Sequence, residues 1–167
     1  MRTFILSSLL LIAAIAVAFA PAKELKVTSS AFVNDGMIPS KYSCQGAEVS
    51  PPLHIEGIPS SAKSLALIAH DPDAPMKGGF THWVMWNIET DGTIPEDFKG
   101  AQQGYNGARS AGYKGMCPPS GTHHYHFMVY ALDTKLNLPN TTGKDALEQA
   151  MKGHIIATGR ITGLYKK

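Results

Sequence analysis

Short apolar runs, each closed by proline or glycine, set the pattern of this chain. LKVTSSAF at 25–32 alternates apolar and polar positions, as a half-buried strand does. SLALIA at 64–69 is apolar and leads into His70-Asp71-Pro72. HWVMWNI at 82–88 is rich in aromatic and β-branched residues, and YHFMVYAL at 125–132 carries the strongest strand pattern. Residues 154–157 and 161–165 read as a last strand or pair. Turn formers punctuate the length, often in pairs such as Pro51-Pro52, Gly78-Gly79 and Pro118-Pro119, which suits many short strands. One helix interrupts them. Thr142 to Asp145 has the form of a capping box, DALEQAMK at 145–152 is built of helix formers, and Gly153 stands where a terminating glycine belongs. The pattern predicts a mainly β, antiparallel-sheet domain with one α-helix in the C-terminal region and short helical turns.

Residues 1–22 follow a different rule. Met1-Arg2 gives a positive start, 4–20 is apolar and uncharged, and Ala16-Val17-Ala18 and Ala20-Pro21-Ala22 both fit an A-x-A cleavage site. Cleavage after Ala22 is expected, because a bond directly before Pro21 is a poor peptidase substrate. Residues 1–22 are therefore assigned as a signal peptide and 23–167 as a single domain, periplasmic or secreted. The alternative, an uncleaved anchor, suits the short Ala-rich run less well.

Charge narrows the partners. Fifteen basic residues against 13 acidic give a net charge of +2 with no basic stripe, so nucleic acid is not an expected partner. The hydrophobic share of 44% fits a globular domain with a sizeable core. Cys44 and Cys117 are the two cysteines. In an exported chain they can pair, and two free buried thiols are the other reading.

Three segments carry candidate chemistry. In Asp71-Pro72-Asp73-Ala74-Pro75 the prolines fix φ and push the residues before them to extended geometry. A stiff loop of this kind presents two carboxylates in set directions, although a plain strand-ending turn also favours Asp. His82 opens a strand, where it can line a cavity or serve structure alone; alternation groups it with Val84 and Trp86 and opposes it to Trp83, Met85 and Asn87. In CPPSGTHHYHF at 117–127, alternation puts His123, Tyr125 and Phe127 on one face and His124 and His126 on the other. That split argues against one metal site using all three histidines, and no metal or cofactor is assigned.

DPDAP at 71–75, HWVMWN at 82–87 and CPPSGTHHYHFMVYALD at 117–133, in this order and spacing, resemble the phosphatidylethanolamine-binding protein family, also called Raf kinase inhibitor-like proteins. KYSCQGAEVSPPLHIEGIP at 41–59 is similar to the opening segment of the bacterial branch. The resemblance implies a β fold with a small anion-binding cavity at one end of the central sheet. It implies that Asp71, His82, His123 and Tyr125 bind the ligand and that Pro118 and Pro119 form the wall. His124 replaces the Arg of the family's G-x-H-R-Y segment, and the closing C-terminal helix of many eukaryotic members is not expected here.

Side-chain chemistry gives these groups roles. His82 and His123 offer ring N–H donors and Tyr125 an O–H, while Asp71 is expected to accept a proton from an imidazole and favour its charged form. Backbone N–H groups of Gly121 and Thr122 are further candidate donors. The expected function is a non-catalytic binding protein for a small anion, phosphate or a phosphorylated small molecule or carboxylate, that modulates a partner protein; a homodimer is compatible with it. Two alternatives are a small hydrolase using Cys117 or Ser120 with His123, and a kinase or protease inhibitor.

Overall fold

The computed structural model describes residues 23–167. The signal-peptide assignment at 1–22 lies outside the described residues. In chain order the elements are β1 (Lys23–Glu24), β2 (Lys26–Thr28), β3 (Gly36–Met37), a 3-10 turn (Ser40–Tyr42), β4 (Leu53–Glu56), β5 (Ser64–Asp71), β6 (Phe80–Ile88), β7 (Thr93–Ile94), β8 (Gln102–Gln103), β9 (Thr122–Leu132), α1 (Lys144–Met151) and β10 (Ile155–Lys166). The large sheet runs β1-β10-β9-β5-β6-β8, with β3 also on β10, and the small sheet runs β2-β4-β7. The long strands pair antiparallel, while β1 and β3 join β10 in parallel.

Two apolar clusters explain why β5 and β6 read as continuous runs. Leu65, Leu67, Trp83, Met85, Phe127 and Val129 face one side, where Val27, Leu53, Ile55 and Ile94 of the small sheet cover them. Ala66, Ile68, Val84 and Trp86 face the other side, where Leu147 and Met151 of α1 cover them. A strand buried on both faces keeps no polar side, so alternation disappears from its sequence.

Two expected details differ, and one open alternative is settled. Of the strand expected at 25–32 only β2, Lys26–Thr28, forms; Leu25 just before it donates its N–H to Thr158 of β10 at 2.7 Å where the chain crosses from the large sheet to the small one. The C-terminal pattern is one strand from Ile155 to Lys166. The helix is capped by Gly143 with no side-chain cap bond, not by Thr142. Thr142 is buried, with its N–H on Pro139 and its carbonyl accepting from Tyr105, so it is held in the loop. Gly153, at φ +82°, ends the helix as expected.

Cys44 and Cys117, 73 positions apart in sequence, form a disulfide with Cα atoms 5.5 Å apart. Closing so long a loop restricts the unfolded chain by about 4 kcal/mol on the chain-entropy account. Replacing both cysteines by alanine should lower stability by roughly 2–4 kcal/mol, read from the urea midpoint, and a loss below about 0.5 kcal/mol would refute this role.

Candidate functional site

The site is organised where β5 ends. Asp71 is buried, and its two carboxylate oxygens do separate work. Oδ1 accepts the backbone N–H groups of Asp73 at 2.9 Å and Ala74 at 3.1 Å, folding the proline-rich loop over the strand end. Oδ2 stands 2.8 Å from His123 Nδ1. A carboxylate can only accept here, so Nδ1 carries the proton and Nε2 is left free. The loop returns to β6 through Gly79, at φ +74°, where an added Cβ would lie 2.3 Å from the Asp71 carbonyl oxygen.

His82 reaches the same place through a β-bulge. Ala69 pairs with Trp83 but His70 pairs with Thr81, so His82 is the extra residue in β6. The bulge breaks alternation and turns His82 to the side of Trp83 rather than of Val84, the reverse of the face expected from sequence. Its ring meets Phe80 edge-on at 4.7 Å and Tyr125 at 5.2 Å between centroids. Nδ1 donates to the Lys114 carbonyl at 2.7 Å, which again leaves Nε2 free. Burial pushes the His82 pKa below the ordinary imidazole value, outweighing the upward pull of the Lys114 bond and the Asp71 charge. His82 is therefore neutral at pH 7, and its free nitrogen is an acceptor until the ring is protonated.

Asp71, His82, Pro118, Pro119 and His123 all line one cavity of about 250 Å³. Ala74, Pro75, Met76 and Phe80 form an apolar wall, and Lys114, Gly115 and Cys117 complete it. The Lys114 ammonium pairs with Glu48 at 2.8 Å, and Glu48 also accepts the Gly115 N–H. That pairing holds the Glu48 pKa below its usual value against the upward pull of its partial burial. The disulfide ties this segment to Cys44, whose N–H donates to the Met116 carbonyl at 3.0 Å.

Tyr125 is not in the lining. It lies behind the cavity with 2% of its surface exposed, and its hydroxyl makes no hydrogen bond of good geometry among the described residues. Burial, and next the charge of Asp71, push its pKa well up, so it stays a neutral phenol. Alternation placed Tyr125 on the correct face but not at the correct depth. Gly121 and Thr122 also lie outside the lining, as does Ser120, which is exposed. Cys117 has its sulfur in the disulfide. Sequence reasoning missed Phe80, Met76 and Lys114. Phe80 stands two positions before His82 and had a pattern to reveal it, while no local pattern marks Lys114 or its carbonyl.

On the other face of β9, His124 Nδ1 stands 2.7 Å from Asp73 Oδ2, and His126 Nδ1 stands 2.9 Å from Thr162 Oγ1. Their rings stack at 6.5 Å.

A family model described as phosphatidylethanolamine-binding protein matches residues 28–166, so the chain belongs to the phosphatidylethanolamine-binding protein family. A UPF0098 protein of Pyrococcus abyssi is 49% identical over 156 residues, which cover 87% of each chain. A crystal structure of a phosphatidylethanolamine-binding protein homologue from Chlamydia trachomatis superposes with a TM-score of 0.83 at 41% identity, covering 87% of this chain and 99% of that one. YbcL of E. coli, described as a member of the mammalian family, superposes with a TM-score of 0.80 at 33% identity, covering 86% and 99%.

The depressed His82 pKa fixes the sign of a pH effect. The unfolded imidazole titrates near about 6.5, so the stability tied to neutral His82 is fully present above that pH and is lost as pH falls through the lower folded value. His70 and His126, also held down chiefly by burial, act in the same direction. In buffers free of phosphate and carboxylate, the melting temperature should fall between pH 7.5 and 5. His82→Asn, whose amide can still donate to the Lys114 carbonyl, should make that fall shallower; an unchanged slope would refute the assignment.

Proposed function

We propose that this chain is an exported, non-catalytic binding protein whose cavity holds a small anion, phosphate or a phosphoester or carboxylate, and that the occupied cavity modulates a partner protein. The observation that carries this is the pair of Nε2 atoms on His82 and His123, which have no hydrogen-bond partner among the described residues, each ring being fixed through Nδ1 by a different acceptor. Protonation turns both into donors aimed from rings that need no further ordering, and charge-assisted bonds to an anion are about twice as strong as neutral ones. The Asp71 carboxylate supplies a countercharge to a His123 imidazolium.

The cavity, about 250 Å³, lies just under the roughly 300–1,000 Å³ of small-molecule pockets, so it has room for a phosphate group and part of what carries it. Among the described residues its lining has no hydroxyl, and its one cysteine sulfur is in the disulfide, so neither a serine-type nor a thiol nucleophile stands beside the buried Asp71–His123 pair. The disulfide also fits an oxidising compartment, which supports export. Met76, 51% exposed at the rim, offers a partner protein an apolar contact beside the ligand.

Phosphate and phosphomonoesters at about 100 times their Kd should raise the melting temperature at pH 5.5 by roughly 5–10 °C. His82→Ala and His123→Ala should each remove most of that rise. No rise with phosphate, phosphomonoesters or acetate, together with no effect of His82→Ala, would overturn the proposal.

A further inference from the structure

We propose that His124, which lies outside the cavity, is a positioning residue for it: with Asp73 it forms an outer clasp that sets the wall of residues 74–76, and the clasp tightens when the imidazole is protonated. This rests on the anion-site reading of the cavity and adds a means of regulating it.

The clasp arises from the period of a strand. Successive residues of β9 point to opposite faces, so His123 and His124 bracket the strand. The loop that leaves β5 presents carboxylates two residues apart, at Asp71 and Asp73. One strand thus holds both: His123 takes Asp71 at 2.8 Å on the buried side, and His124 takes Asp73 at 2.7 Å on the exposed side. Asp73 Oδ2 also accepts the His124 backbone N–H at 2.8 Å, and the carboxylate has no other hydrogen-bond partner among the described residues.

Immediately after Asp73 the chain becomes the cavity wall. Ala74, Pro75 and Met76 all line the cavity. Pro72 and Pro75 stiffen the segment on either side of Asp73, so a shift there carries into the wall rather than dissipating in the loop. The inner bonds from Asp71 Oδ1 fix the turn, and the outer clasp fixes how closely it lies against β9.

The charges around the clasp favour acid tightening. The bonds from His124 hold the Asp73 pKa below the ordinary carboxylate value, so Asp73 remains anionic while histidines charge. His126, stacked on His124, is kept neutral mainly by burial and next by Arg160, so it adds little opposing charge near neutrality. Lys166 lies on the same face of neighbouring β10, opposite Thr122, and His70 of β5 lies opposite His126. His123 is on the far face. Neutral His124 already donates Nδ1–H to Asp73, and protonation converts that bond to an ion pair. Both partners are about half exposed, so the gain is modest. Acidification that protonates His82 inside the cavity would therefore also draw its wall inward.

The test compares wild type, His124→Ala and His124→Arg at pH 5 and pH 8. One readout is amide hydrogen exchange of Asp73, Ala74 and Met76 without ligand, corrected for the intrinsic pH dependence of exchange. The other is phosphate affinity by calorimetry, where the variant-to-wild-type ratio at each pH cancels the ionisation of phosphate itself. Wild type should show stronger protection of these three amides at pH 5 than at pH 8. His124→Ala should lose that difference and bind phosphate about two- to five-fold more weakly at pH 5, with a smaller deficit at pH 8. His124→Arg, charged at both values, should restore protection and affinity at both. Equal protection in wild type and His124→Ala at pH 5 overturns the clasp, whatever phosphate does. If wild type fails to bind phosphate, the anion reading falls on its own and the exchange data still decide the clasp.

Discussion

The carboxylate of Asp71 is the contact on which the site depends. A buried carboxylate is costly unless its lone pairs are matched by donors. Asp71 is matched by three: two backbone N–H groups of the loop just after it and one imidazole N–H from a strand 52 residues away. Each of these bonds also does something for the cavity. The first two turn the chain back so that residues 74–76 become a wall. The third locks a histidine into one tautomer and directs its other nitrogen inward. Without the carboxylate, the loop loses its fold and the imidazole its orientation together.

The opposite wall is built from covalent and backbone constraints instead of charge. The disulfide anchors Cys117 to a segment 73 residues earlier, and the Lys114 carbonyl fixes His82. The two halves of the site therefore respond differently to conditions. Carboxylate–imidazole contacts answer to pH, and the cystine wall answers to redox state. Between them lies a small, largely apolar space in which the free nitrogens are acceptors when neutral and donors when charged. Burial of His82 holds that choice toward the neutral side, so an anion that occupies the cavity must bring the proton with it or find acid solution.

Much of this was legible in the sequence. The runs at 64–69, 82–88 and 125–132 became β5, β6 and β9, and the family resemblance is matched by the family to which the chain belongs. Alternation placed His123, His124 and His126 on their observed faces because β9 is regular there. It failed for His82, because a bulge inserts a residue and reverses the face, and nothing local in HWVMWNI announces it. It gave Tyr125 a side and not a depth; the resemblance assigned Tyr125 to the ligand site, and the structure buries it behind the cavity lining. The capping box at Thr142 looked complete in sequence, but tertiary backbone bonds claim that residue first. Lys114 entered the site through a carbonyl group, which every residue possesses, so no side-chain pattern pointed to it. The pairing of Asp73 with His124 needed the position of the loop on β9, which the sequence motifs alone do not supply.

On this reading Asp71 sets the tautomer of His123 and thereby readies its second ring nitrogen for an anion. Nitrogen-15 NMR of the imidazole side chains at pH 6 measures this directly, in the free protein and with added phosphate. His123 should carry its proton on Nδ1 in the free protein, and phosphate should shift Nε2 toward the protonated form. A free protein in which His123 carries its proton on Nε2, or a His123 ring whose nitrogen shifts ignore saturating phosphate, would contradict it.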